Sequence, residues 1–177
     1  MSLKSSPDRY GIVAVTVHWL AAGLIVALLF SGFRAAGLHD AAAKAMVLRI
    51  HFMAAVLVLS LTAFRIGWWL LWDDKPSPPP GSTRLQAFLA AAVHGLLYVV
   101  VLGMIASGVG MVGVSGAIAI LTTDVTVLPD FWRYPPRIPH GLGAGLMLGL
   151  LGLHVAAALY HHFVRRDGAL GRMWLSR

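Results

Sequence analysis

A chain of 177 residues that is 58% hydrophobic and 12% charged, with a mean hydropathy of +0.77, is not an ordinary soluble domain; it is a membrane protein. It has no cysteine, which excludes structural disulfides, iron–sulfur clusters and thioether-linked prosthetic groups. The formal charge of +7 sits in loops and tails rather than on one folded face, so nucleic acid is not an expected partner and membrane lipid is.

After a polar lead carrying Lys4 and Arg9, residues 11–33 hold one ionisable residue, His18, and are long enough to cross about 30 Å of hydrocarbon. A basic start before an apolar run also marks a cleaved signal peptide, but this run is longer than such cores and contains a His-Trp pair, so it is expected to be retained. A connector from Arg34 to Arg49, with Lys44 between them, leads to a second span at 47–72. That span carries His51 near its start and Arg65 fourteen residues later. An arginine at that depth is costly unless it faces the interior and meets an anion. The stretch WDDKPSPPPGST, with four prolines between Lys75 and Gly81, is the clearest linker.

A third span at 86–112 is apolar apart from His94, and Gly108, Gly110, Gly113 and Gly116 are expected to mark where its helix ends. The segment FWRYPPRIP, holding Arg133 and Arg137, suits a membrane interface. The fourth span, 138–163, contains HGLGAGLMLGLLGLH from His140 to His154 and ends at His161 and His162. A basic tail with Arg165, Arg166, Arg172 and Arg177 follows. The chain thus reads as one integral-membrane domain, 1–177, an all-α bundle of four transmembrane helices.

Nine of the fourteen lysines and arginines fall on the side that holds the lead, the second connector and the tail, which places both termini in the cytoplasm. The other five are Arg34, Lys44, Arg49, Arg133 and Arg137.

Fourteen residues of helix separate His140 from His154 by about 21 Å and return them to within about 40° of one face. Imidazoles that far apart cannot share a metal ion, so each needs a partner on another helix. Depth selects the partners. His18 is early in an outward helix and His154 late in an inward one, which pairs them towards the cytoplasm. His51 and His140 both begin inward helices and pair towards the outside. Bis-histidine ligation of two haems uses all four. His94 lies at cytoplasmic depth too and competes with His18. A haem propionate would supply the anion for Arg65. Gly141, Gly145 and Gly149 make a smooth face that either admits a flat macrocycle or lets two helices approach closely. His161, two turns beyond His154, is either an interfacial polar cap or a proton donor and hydrogen-bond partner for a quinone carbonyl.

The opening DRYGIVAVTVHWL, the helix carrying His51 and Arg65, the proline linker, HGLLY at His94 and the closing LHVAAALYHHF resemble the bacterial cytochrome b561 family over nearly the whole chain. Within it the likeness is greatest to the superoxide-oxidising branch. The resemblance implies a four-helix bundle in the inner membrane with two haem b groups ligated at His18, His51, His140 and His154. It also implies superoxide oxidation at the periplasmic face with ubiquinone as electron acceptor, and a quinone contact at His161. Superoxide is a small anion, and Arg34, Lys44, Arg49, Arg133 and Arg137 would raise its encounter rate at the outer mouth. The competing expectation is a haem-b subunit that passes electrons from a partner dehydrogenase or hydrogenase to quinone.

Overall fold

The computed structural model describes residues 2–122 and 127–174. Its long elements are α1 (Ile12–Gly37), α2 (Ala41–Leu71) and α3 (Arg84–Ser115), then a short α4 (Ala119–Thr122), then α5 (Arg137–Tyr160). A π-helical turn, His161–Arg165, continues α5 into a 29-residue span, so the four long helices have 26, 31, 32 and 29 residues. Each exceeds the roughly 20 residues that a bilayer requires. Among the described residues the one β feature is an isolated bridge between Ser6 and Arg9.

Exposed apolar side chains stud all four helices, among them Phe30, Val56, Phe88, Val109 and Leu142. Lipid accepts that surface without penalty, while each helix satisfies its own backbone hydrogen bonds. The residues that are buried are mostly small, such as Ala14, Val15, Ala21 and Ala45, as close helix packing in a membrane favours.

Several helix limits differ from the sequence expectation, and α1 runs on to Gly37 rather than ending at 33. α2 starts at Ala41 rather than near 47, because Asp40 caps it: its carboxylate accepts from the Ala43 amide at 2.8 Å and its carbonyl from Lys44 at 3.0 Å. The connector is therefore only residues 38–40, with Arg34 in the last turn of α1 and Lys44 and Arg49 already on α2. α3 runs on through Gly108, Gly110 and Gly113 to Ser115, three residues past the expected end at 112. Glycine within a helix costs only about 1 kcal/mol. The chain turns off at Gly116, whose φ of +70° is the left-handed conformation that stops a helix. The start of α3 is a capping box, in which Thr83 Oγ1 accepts from Gln86 N at 3.2 Å and Gln86 Oε1 accepts from Thr83 N at 2.9 Å.

The residues form two compact units, and every long helix contributes a segment to each. The first unit comprises Met1–Ala22, Leu61–Tyr98 and Gly149–Arg177. In it the buried Asp73 gathers the lead and the linker. Its carboxylate accepts from the Ser5 amide at 2.9 Å, the Ser5 hydroxyl at 2.8 Å, Trp68 Nε1 at 3.0 Å and the Asp74 amide at 3.1 Å. Burial raises this carboxyl, but those donors outweigh it and hold it below the usual carboxylate range. The tail is strapped down in the same unit: Arg165 donates to Gly81 O at 3.0 Å, Arg172 to Ser77 O at 2.7 Å, and Trp19 Nε1 to Met173 O at 2.8 Å.

The second unit comprises Gly23–Ser60 and Val99–Leu148. Its described core joins Ala45, Ala117 and Ile120, with Leu48, Leu128 and Phe131 packed against them. Arg49 Nε donates to Ile120 O at 2.6 Å and ties α2 to α4. Asp130 caps the 3-10 turn Phe131–Arg133 by accepting from Trp132 N at 3.1 Å, and α5 starts four residues later at Arg137.

Candidate functional site: paired histidines in each unit

In the second unit, His51 on α2 and His140 on α5 are half-buried with ring centres 6.3 Å apart. A metal–imidazole bond is about 2 Å and the ligating nitrogen lies about 1 Å from its ring centre, so two imidazoles on opposite sides of one iron have centres about 6 Å apart. Each ring is held through Nδ1 by another helix. Ser31 Oγ on α1 is 2.9 Å from His51 Nδ1, and Ser107 Oγ on α3 is 3.0 Å from His140 Nδ1. Met104 O is also 3.0 Å from His140 Nδ1. The Nε2 atoms are left for coordination, so the donor set fits a bis-histidine haem.

In the first unit, His18 on α1 and His154 on α5 have ring centres 6.1 Å apart, again the separation that one iron requires. His94 on α3 lies 5.1 Å from His154 and nearly perpendicular to it, short of that separation, and its Nδ1 donates to Ala90 O of its own helix at 2.6 Å. Arg65 is the unusual neighbour. Its Nη1 is 3.3 Å from His18 Nδ1, its guanidinium lies 5.8 Å from the Tyr98 ring centre, and its buried Nε has no hydrogen-bond partner among the described residues. A guanidinium can only donate, and an imidazole that ligates through Nε2 carries its proton on Nδ1, so these two groups do not satisfy each other. A carboxylate would satisfy both Arg65 nitrogens, and haem carries two.

The glycine face of α5 is also informative. A Cβ added at Gly145 or at Gly149 would meet nothing within 4 Å, which is open space rather than the tight helix contact that a small-residue stripe can serve. At Gly141 an added Cβ would meet the Arg137 guanidinium.

Arg34, Lys44, Arg49, Arg133 and Arg137, the five basic residues expected on the outer side, all belong to the second unit. Arg34 is exposed and Lys44 half-buried, whereas three others are engaged. Arg49 holds Ile120 O, Arg133 pairs with Asp130 at 3.3 Å, and Arg137 lies over the Trp132 ring at 4.2 Å. His161 belongs to the first unit. Its Nδ1 is 2.5 Å from Asp167 Oδ2, because the left-handed Arg166 at the end of the π turn reverses the chain. Burial raises the Asp167 carboxyl, but its hydrogen bonds with His161 and the Ala169 amide outweigh that and lower it overall.

Sequence reasoning missed Ser31, Ser107 and Asp167. The serines had a signal. HWLAAGLIVALLFSG from His18 to Gly32 and HGLLYVVVLGMIASG from His94 to Gly108 are of equal length and share the histidine, the serine and the glycine after it. The spacing from His51 to Arg65 likewise equals that from His140 to His154. α1 and α3 therefore present matching positions, as do α2 and α5.

A four-helix membrane bundle with imidazoles paired at an iron-bridging distance belongs to the class of membrane haem proteins of electron transfer. The profile of the family described as prokaryotic cytochrome b561 matches residues 9–176, and the chain belongs to that family, whose haem is of the b type. A Yersinia pestis protein named probable superoxide oxidase CybB is 25% identical over 171 residues, covering 93% of this chain and 95% of its own length. Cytochrome b561 homolog 2 of Escherichia coli K12 is 25% identical over 194 aligned positions, covering 98% and 95%. Cytochrome b562 of Cereibacter sphaeroides is 27% identical over 179, covering 95% and 96%. No solved structure gives a significant match to the chain.

Proposed function

We propose that the chain is a di-haem b oxidoreductase of the bacterial inner membrane, with both termini cytoplasmic, that moves electrons from superoxide at the periplasmic side to ubiquinone. The carrying observation is the pair of histidine separations, 6.1 and 6.3 Å, each suited to one iron. His51 and His140 would hold one haem, and His18 and His154 the other. When bound, haem supplies reversible one-electron transfer, which two single-electron donors and a two-electron acceptor require.

The remaining steps belong to side chains. Arg34 and Lys44, with the already engaged Arg49, Arg133 and Arg137, place positive potential where an anion arrives. Two superoxide anions each lose one electron and leave as dioxygen. Ubiquinone takes up both electrons and two protons to become ubiquinol. Arg65, whose buried Nε has no hydrogen-bond partner among the described residues, would bind a haem propionate. His161, oriented by Asp167 through Nδ1, turns Nε2 towards a quinone carbonyl and delivers a proton there. The name of the Yersinia pestis relative supports the choice of superoxide as donor.

Reduced-minus-oxidised spectra and a pyridine haemochrome assay on the detergent-purified protein test the cofactor reading. Two b haems per chain are expected. Superoxide-driven ubiquinone reduction tests the activity, and it should fall when the outer basic residues are replaced together while haem content stays intact. A protein with both haems that reduces no quinone from superoxide would remove this assignment.

A further inference from the structure

The hydroxyls beside His51 and His140 have only one arrangement of their hydrogen that serves every neighbour. Ser31 Oγ donates to Leu28 O at 3.1 Å, and Ser107 Oγ donates to Met104 O at 3.0 Å, each within its own helix. A hydroxyl has one hydrogen, and once that is given to a carbonyl the oxygen can only accept. The facing imidazole, 2.9 Å away in one case and 3.0 Å in the other, must then be the donor. Its proton stands on Nδ1 and its lone pair on Nε2, the tautomer that a metal ligand needs. The glycine after each serine sets the ring against the helix. An added Cβ at Gly32 would lie 3.4 Å from His51 Cε1, and one at Gly108 would lie 3.4 Å from His140 Cε1. Two helices thus present the same carbonyl, hydroxyl and glycine, four residues from first to last, to two rings in the same way.

Acceptors on the far nitrogen of a ligating imidazole raise its basicity, and a more basic ligand stabilises the oxidised iron more than the reduced one. We propose that Ser31 and Ser107 are positioning residues of the redox centre in the second unit: they fix the Nδ1–H tautomer of His51 and His140 and lower the reduction potential of the haem held between them. The inference rests on the bis-histidine reading given above. The serines act through the ligands and touch no substrate. Because Met104 O also faces His140 Nδ1 and the Leu28 backbone also hydrogen-bonds His51, loss of a hydroxyl weakens each acceptor set without abolishing it, and ligation survives.

The test is a potentiometric titration of the purified holoprotein, followed at the haem absorption band and by the low-spin electron paramagnetic resonance signals. The haem of the second unit is first identified as the one lost in His51→Ala. In the double variant Ser31→Ala with Ser107→Ala, haem content should be unchanged and the midpoint of that haem should shift upward, with altered g-values for that signal alone. Each single variant should give part of the shift, which keeps the test available if the double variant does not accumulate. Ser31→Thr and Ser107→Thr retain the hydroxyl and should keep the wild-type midpoint. No shift in any alanine variant, or a shift confined to the haem that is lost in His18→Ala, overturns the proposal. Retention of both haems in His51→Ala would instead overturn the ligand assignment, and this inference with it, before any serine is changed.

Discussion

The two histidine sites are made by the same four helices at matching positions, yet their chemistry differs. In the second unit the matching is complete. His51 and His140 are equivalents on α2 and α5, and Ser31 and Ser107 are their equivalents on α1 and α3. In the first unit one position has changed. His18 and His94 are equivalents on α1 and α3, but their neighbours are Arg65 on α2 and His154 on α5. The symmetric site presents two imidazoles held alike by serine hydroxyls. Where α5 carries His154, α2 carries Arg65, which gives a site with a cation, a further histidine and one buried nitrogen that has no hydrogen-bond partner among the described residues. The pattern shows how a repeated pair of helices can set paired histidines twice in different electrostatic surroundings.

The strongest way to break this comparison is to delete ligands. His51→Ala or His140→Ala should remove one haem and leave the other, and His18→Ala or His154→Ala should do the reverse, so the pyridine haemochrome value should fall by about half in each case. His94→Ala should retain both. Loss of a haem on His94→Ala would move the ligand from α1 to α3 and undo the assignment of the spare position.

A smaller effect is expected at the cation. Arg65→Met removes a positive charge a few ångströms from a ligand, and at an effective dielectric near 20 that is worth on the order of 1–2 kcal/mol, or some tens of millivolts. Oxidised iron gains relative to reduced iron, so the midpoint of the haem in the first unit should fall while the other stays fixed. Redox titration of the variant checks both halves of that statement.

The acid response should distinguish the units further. Asp73 and Asp167 both lie in the first unit and both have carboxyls held below their ordinary value. A lowered folded-state pKa means that the stabilisation is complete above the usual carboxylate range, near pH 4, and is lost as pH falls through the folded value. Asp73→Asn should therefore lower the unfolding temperature at pH 7, by a loss on the order of 1–3 kcal/mol, and flatten the acid dependence. Thermal unfolding in detergent at pH 7 and pH 3 measures both.

The smallest contrast is within the basic group of the second unit. Arg133 is exposed and already paired with Asp130, so Arg133→Gln should change superoxide-driven quinone reduction little. Arg34→Gln, at an exposed residue in the last turn of α1, should reduce the rate more and weaken its dependence on ionic strength. Initial rates across a salt series make the comparison.

Much of the arrangement was legible from the chain because membrane spans impose a simple order. Helical rise turns sequence separation into depth, and depth paired His18 with His154 and His51 with His140, the two pairs that the structure brings to 6.1 and 6.3 Å. Helix ends were less legible. Asp40 starts α2 early through a local hydrogen bond, and the glycines of α3 do not stop it until one adopts a left-handed conformation. Hydropathy records neither event, since it sees apolar content and not which polar group caps a backbone.

Length, apolar content and helix pitch are enough to show a four-span membrane protein, its ionisable exceptions and how far apart along each helix they lie. It took the packed helices to reveal that His94 stands too close to His154 to share an iron with it, that Arg65 meets His18, and that two serines on neighbouring helices hold His51 and His140. Those outcomes depend on how each helix is rotated about its axis and on how closely its neighbours approach. Rotation and approach are set by packing among many side chains at once, whereas depth is set by counting along one chain.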